Sequence, residues 1–327
     1  MISNIDNVNL ILISLTSALL MYLGIILANV KLKFFFGICV SNEKTSLYHV
    51  PIIRGLGILY IIALIPMFFT NELLNASEIT LLIISTLFGF YDDKYGITQI
   101  KKILFLTLLI SLVYLISTHD ENLSFFDFFL NIILFLFLTL FFNQIDGING
   151  LAGSTFCITC IGSSLLLNYS PFVQVIIPVV LVVLVYLNIN FRGNVGIQGE
   201  SGSFFMGALI YIIMQKFNHY FDWIFVLAFL FPVLSDVIST TLVRLIYVKN
   251  LLIPHRKHLY QRLVEKYKSH IKVTFLFSIL QIISVLFILY IHNLSYFEFK
   301  LISLVFLISI FLIINLRYSY FIHKGKF

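Results

Sequence analysis

Apolar residues run through this chain in long uncharged blocks, separated by short polar stretches that carry almost all of its charge. Crossing a hydrocarbon layer about 30 Å thick takes roughly 17–25 consecutive apolar residues in a helix. Blocks of this kind recur from end to end, and the pattern predicts eleven membrane-spanning helices. They lie near Val8–Val30, Gly55–Thr70, Ile79–Tyr91, Ile103–Thr118, Phe125–Phe142, Leu151–Leu167, Pro171–Phe191, Ser203–Phe217, Trp223–Val243, Val273–Ile291 and Leu301–Leu316. The third and eighth are short, which predicts helices that are tilted, extended or recessed among their neighbours. A membrane β-barrel would instead alternate apolar and polar residues in segments of about ten.

Composition agrees. Of 327 residues 60% are apolar, and the mean hydropathy is +1.02. Too few polar residues remain to cover a soluble core of that size. The expected fold is all-α, a polytopic membrane protein with about eleven transmembrane helices in a single integral membrane domain over residues 1–327. Its longest polar segment is the loop from Arg244 to Lys272, whose LVEKYK stretch fits an amphipathic interfacial turn or a plain solvated loop. No internal repeat or low-complexity segment stands out.

Charge sets the expected orientation. The first block has no Lys or Arg before it, and Lys31 and Lys33 just after it, the reverse of a cleavable signal peptide. It is therefore expected to be retained, with the N-terminus outside and the C-terminus in the cytoplasm. Alternate loops then hold 19 of the 21 basic residues on the cytoplasmic side, leaving Lys216 and Lys300 outside, as the positive-inside rule requires. The net charge of +6 accordingly reads as an orientation signal and not as a nucleic-acid footprint. Cys157 and Cys160 form a CxxC inside an apolar block with no second pair, which favours helix packing over metal or redox use.

The informative polar residues gather at one expected face. FGFYDDKYG places Asp92 and Asp93 after the third block. FFNQIDGINGLAG joins the fifth and sixth with Asn143, Asp146 and Asn149, and RGNVGIQGESGSF joins the seventh and eighth with Glu200 as its sole acid. PHRKHLYQRL carries His255, Arg256 and His258; NEKTSLYHVPIIRGLG carries Lys44, His49 and Arg54. Taken singly, each has a plain reading: interfacial solvation, a turn, close helix packing, a stop signal. Together they supply carboxylates that need a cation or a proton as third party, glycine loops that let backbone N–H groups approach an anion, and bases that hold phosphate oxygens. These are the parts of metal-assisted phosphoryl transfer. The competing class, an ion-coupled secondary transporter, predicts ionisable groups near the bilayer midplane; Asp236, well inside the ninth block, is the one that fits it.

In that order and spacing the motifs resemble those of the polyprenyl-phosphate N-acetylhexosamine-1-phosphate transferases (glycosyltransferase family 4), over about Asn42 to Leu263. The paired aspartates match Asp92 and Asp93. The N-x-x-D-G-x-D-G-L-A signature matches Asn143, Asp146, Gly147, Gly150, Leu151 and Ala152, and G-D-x-G-S matches Gly199, Gly202 and Ser203. Pro232, Asp236 and Arg244 resemble the motif on the following long helix, and His255, Arg256, His258 and Leu259 resemble the family's histidine motif in its O-antigen-initiating form. Asn42, Lys44, Pro51, Arg54, Gly55 and Gly57 resemble its first-loop motif. The chain departs from the family in three places, with Asn149 for an aspartate, Glu200 for an aspartate and Leu56 for a glycine.

The resemblance implies Mg²⁺-dependent transfer of a sugar 1-phosphate from a UDP-N-acetylhexosamine to undecaprenyl phosphate, releasing UMP and initiating a cell-envelope glycan. It implies catalytic roles for Asp92, Asp93, Asp146 and His258, and substrate binding by Asn143, Asn149, Lys102, Arg54, His255 and Arg256. Metal would sit on Asp92, Asp93 and Glu200, with Mn²⁺ as a substitute. The expected setting is the bacterial cytoplasmic membrane with the active site facing inward; homodimers are common in the family. The three departures leave a non-catalytic relative as the alternative within it.

Overall fold

The computed structural model describes residues 7–30, 35–39, 52–70, 73–117, 124–167, 172–193, 196–217, 220–247, 256–293 and 297–323. The expected positions Asn42, Lys44, His49, Pro51 and His255 lie outside them. Described helices fall on all eleven predicted blocks. They are α1 (Asn7–Val30), α2 and α3 (Ile58–Ala63, Ile65–Thr70), α4 (Ala76–Tyr95), α5 (Gln99–Ser117), α6 (Phe125–Ile145), α7 (Leu151–Leu167), α8 (Val173–Asn190), α9 (Gly199–Gln215), α10 and α11 (Tyr220–Phe229, Phe231–Tyr247), α12 (Leu259–Tyr267), α13 (His270–His292) and α14 (Phe297–His323). Five of these are long and apolar enough to cross a membrane, or six if α10 and α11 form one bent span.

The bundle is built around α9, which packs chiefly against α4 and α6. Every residue from Gly199 to Met214 is buried, so its 17 residues meet protein on all sides. A helix with no lipid contact has no need to match the hydrocarbon thickness, which accounts for the short eighth block. Close approach rests on small residues. A Cβ on Gly89 of α4 would stand 2.6 Å from the Glu200 carbonyl oxygen and 2.7 Å from Ser201 Cα.

One expectation needs correction. The ninth block is not one straight helix, since α10 and α11 meet at 80°. Pro232 stands in the first turn of α11, where its missing N–H is tolerated, but its ring forbids a helix running through from α10. The fold is all-α in class, as expected, with one small sheet beside the bundle. Three short strands, β1 (Gly37–Cys39), β2 (Ile52–Arg54) and β3 (Gly196–Ile197), form a sheet with β1 antiparallel and β2–β3 parallel. Gly55 and Leu56 N–H groups donate to the Ile197 carbonyl at 3.2 and 3.1 Å, and Gly57 N–H to that of Gln198 at 3.0 Å. Loop backbone near an apolar bundle needs internal partners, and this sheet supplies them while carrying Arg54 to the start of α9. The LVEKYK segment lies in α12, whose Leu259, Tyr260, Gln261 and Val264 are buried.

Substituting Gly89→Ala should force α4 and α9 apart at a cost of about 1–3 kcal/mol, read as a lower melting temperature in detergent. Gly24→Ala meets only the mobile end of Leu59, at 3.2 Å, and should melt near the parent. Equal melting of the two variants would contradict this account of the α4–α9 contact.

Candidate active site

The two adjacent aspartates close α4, and neighbouring residues on a helix point about 100° apart. Their carboxylates therefore part company. Asp93 turns to the N-terminus of α9, whose first backbone N–H groups have no partner inside the helix. Its Oδ1 accepts from Glu200 N–H (2.8 Å) and its Oδ2 from Ser201 N–H (3.0 Å) and Ser201 Oγ (3.0 Å). Arg54 Nε donates to Oδ1 at 2.7 Å. Asp93 is thus an N-cap supplied from another helix, with the helix dipole favouring its charge. Gly199 makes room: its φ is +71°, and a Cβ there would collide with the Asp93 carboxylate.

Asp92 turns the other way. Its Oδ1 accepts from Ile97 N–H, and its Oδ2 lies 2.6 Å from Lys102 Nζ. The same ammonium is 2.6 Å from Glu200 Oε1, while Glu200 Oε2 accepts from Asn143 Nδ2 at 2.8 Å and Arg54 Nη2 reaches Oε1 at 3.4 Å. Three carboxylates and two cations, nearly all buried, form one network of formal charge −1. Protein groups face both acids: Lys102 faces Asp92, and Arg54 with the α9 amides faces Asp93.

The three expected metal ligands face different partners. Among the described residues no trio of His, Cys, Asp and Glu is placed to hold an ion, and both Asp93 oxygens are engaged in the cap. Asp92 and Glu200 instead present hard oxygen donors to one shared cation position, filled by the Lys102 ammonium. That donor chemistry suits Mg²⁺, so the residues fit the ion if Lys102 withdraws.

Asp146 follows the end of α6 and accepts from Gln198 Nε2 at 3.1 Å. Part of its surface stays open, yet desolvation pushes its carboxyl well above the usual range; Arg54 opposes the shift and Asp93 adds to it. Gln198 was missed by sequence reasoning. It is fully buried, accepts from Tyr60 Oη at 2.7 Å, and donates its backbone N–H to Tyr186 Oη at 2.9 Å. The signal was its place directly before GESGS. Asn149 is anchored on α13, its N–H donating to His270 Nδ1 (3.1 Å) and its carbonyl accepting from Thr274 Oγ1 (2.7 Å).

His258 sits at the start of α12, where the capping arrangement recurs. Asp236, buried in α11, accepts from Leu259 N–H (2.9 Å), Tyr260 N–H (3.2 Å) and Thr240 Oγ1 (3.0 Å). The His258 Nδ1 is 3.9 Å from Asp236 Oδ1, too far for a hydrogen bond, and its ring stacks on Tyr260. Tyr260 Oη donates to the Gln144 carbonyl at 2.6 Å. The end of α6, from Asn143 to Asp146, therefore joins the acidic network to the histidine helix. Arg256 lies half-buried two residues ahead of His258.

Residues 75–218 match the family described as "Glycosyl transferase family 4". A relative from Dictyoglomus thermophilum, named phospho-N-acetylmuramoyl-pentapeptide-transferase, is 31% identical over 176 residues, covering 47% of this chain and 56% of its own length. The match thus spans little more than half of that relative. The matched segment contains Asp92, Asp93, Lys102, Asn143, Asp146, Asn149 and Glu200. Arg54, Asp236, Arg256 and His258 lie outside it in sequence, and the fold supplies Arg54 through β2 and His258 through the Asp236-capped helix.

Removing the Asp93 carboxylate breaks its ion pair with Arg54 and leaves two buried amides without their acceptor. Asp93→Ala should therefore cost about 3–5 kcal/mol, seen as a large drop in melting temperature in detergent, with Asp93→Asn retaining part of the loss. Melting of Asp93→Ala indistinguishable from the parent would remove the cap from the account.

Proposed function

We propose that the protein transfers a sugar 1-phosphate from a nucleotide sugar to a polyprenyl phosphate at the membrane surface. The observation that carries this reading is the network Asp92–Lys102–Glu200–Arg54 near the helix ends, with Asp92, Lys102 and Glu200 inside the segment similar to glycosyl transferase family 4. In full, the donor is a UDP-N-acetylhexosamine, the acceptor undecaprenyl phosphate and the products UMP and a polyprenyl-pyrophosphate sugar that starts a cell-envelope glycan. The expected eleven crossings, with the N-terminus outside and the site facing the cytoplasm of a bacterial inner membrane, belong to the same proposal.

An oxygen of the acceptor phosphate attacks the sugar-bearing phosphorus of the donor. A new P–O–P bond forms, the bridging bond to the nucleotide breaks, and UMP leaves with that oxygen. Asp92 takes the proton of a monoprotonated acceptor phosphate once Lys102 has moved away. Lys102 and Arg54, released in part from the carboxylates, then face the phosphate oxygens. Asp93 keeps α9, and with it Glu200, in place. Asn143, Asp146 and Asn149 line the nucleotide-sugar side, with Arg256 and His258 at the phosphates. Asp92 and Glu200 would hold Mg²⁺, which would supply charge neutralisation to the reacting phosphates. A carrier is the weaker reading, because the ionisable network sits at helix ends and not midway along them.

The test is UMP release from UDP-N-acetylglucosamine by the purified chain with undecaprenyl phosphate, alongside transfer of sugar label into the lipid phase. Asp92→Asn and Glu200→Gln should each lower turnover at least roughly a hundredfold while melting as folded proteins, and chelation of divalent metal should stop the reaction. Parent-like turnover in either variant overturns these roles. Uptake of solute into vesicles without a labelled lipid would favour the carrier.

A further inference from the structure

A second feature lies apart from this network. Between the C-terminal halves of α1 and α8 runs a groove of about 630 Å³, within the range of small-molecule sites. Its wall on α8 includes Leu184 and Asn188, with Arg192 just past the helix end; on α1 it includes Tyr22, Ile26 and Asn29. Most of the lining is aliphatic. Its polar side chains concentrate at the end where α1 and α8 both finish, and there Arg192 Nη2 donates to Asn188 Oδ1 at 3.4 Å while Asn29 donates to the Ile25 carbonyl.

This is a different face of α8 from the one that serves the acidic network. Tyr186 and Asn190 are buried on the opposite side, Tyr186 against Gln198 and Asn190 against the Gly150 N–H. At 100° per residue, Asn188 lies about 200° from Asn190, so the groove opens on the side of α8 turned away from the acidic network.

We infer that this groove is a seat for one anionic phospholipid, its acyl chain along the Ile26–Leu184 wall and its phosphate on Arg192, with the Asn29 and Asn188 amides beside it. An aliphatic channel ending in a single guanidinium and two amides is complementary to a chain ending in a phosphate. Guanidinium holds phosphate oxygens through paired N–H donors, and an interfacial cation draws anionic lipid in preference to zwitterionic lipid. The inference does not depend on the transferase reading.

The test uses the full chain in detergent. Melting temperature is followed while phosphatidylglycerol, phosphatidylcholine with the same acyl chains, or inorganic phosphate is added. Phosphatidylglycerol should stabilise at lower concentration than phosphatidylcholine, and inorganic phosphate should have no effect. Arg192→Gln should weaken the phosphatidylglycerol response roughly fivefold, the contribution of one interfacial cation, and bring the two lipids level. Leu184→Phe, which narrows the channel, should weaken both. Equal response to the two lipids in the parent overturns the inference, as does an undiminished preference in Arg192→Gln. Inhibition of UMP release by phosphatidylglycerol, relieved by Arg192→Gln, would instead assign the groove to the acceptor. Loss of the transferase reading alone leaves the melting response unchanged.

Discussion

The structure depends on how α9 begins. A helix buried along its whole length starts with backbone N–H groups that water cannot reach, and leaving them unpaired in an apolar interior is costly. Asp93 answers this with one carboxylate that meets two of those amides, the Ser201 hydroxyl and Arg54. The requirement then propagates. Gly199 must be left-handed and lack a Cβ, Gly89 must let α4 approach, and the β2–β3 pairing must bring Arg54 to the same point. Glu200 is the first-turn residue of the capped helix, so the geometry of the site follows from the solution to a folding problem.

The same solution appears twice. Asp236 in α11 holds the first turn of α12 as Asp93 in α4 holds that of α9. Each buried aspartate is satisfied by amides and a hydroxyl, and each fixes a helix whose start carries a candidate site residue, Glu200 or His258. Buried carboxylates in a membrane bundle invite a functional reading. Here two of the four that gather near the site do structural work that a carboxylate at a helix N-terminus performs well, and the reactive work falls to their neighbours.

Much of this was legible in the sequence, for identifiable reasons. Long apolar blocks fix helix positions because the hydrocarbon sets their length, and described helices fall on every predicted block. The acidic and glycine-rich clusters pointed to one site because a recessed charge needs a partner, and Asp92, Asp93, Lys102, Asn143, Glu200 and Arg54 do meet. What escaped was pairing across the chain. Three strands of two or three residues leave no periodic trace, Gln198 looks like any loop glutamine, and the break before Pro232 hides inside an uninterrupted apolar run. The sequence also made the two aspartates look equivalent. Only the direction in which each side chain leaves the helix separates an N-cap from a lysine-paired carboxylate.

That separation bears on the substitution of glutamate for aspartate at Glu200. The backbone N–H of Glu200 is held by Asp93, so its Cα cannot shift toward Asp92 without breaking the cap. A side chain anchored there must span the remaining gap with its own length. The extra methylene lets the Glu200 carboxylate meet Lys102 on one oxygen and Asn143 on the other, so a single acid reaches both the α5 cation and the end of α6. A shorter aspartate at the same fixed Cα would have to give up one of those contacts or draw α5 and α6 closer to α9. The glutamate and the surrounding helix spacing therefore form a matched pair, and the departure from the family pattern preserves the convergence of acid, base and amide at the site.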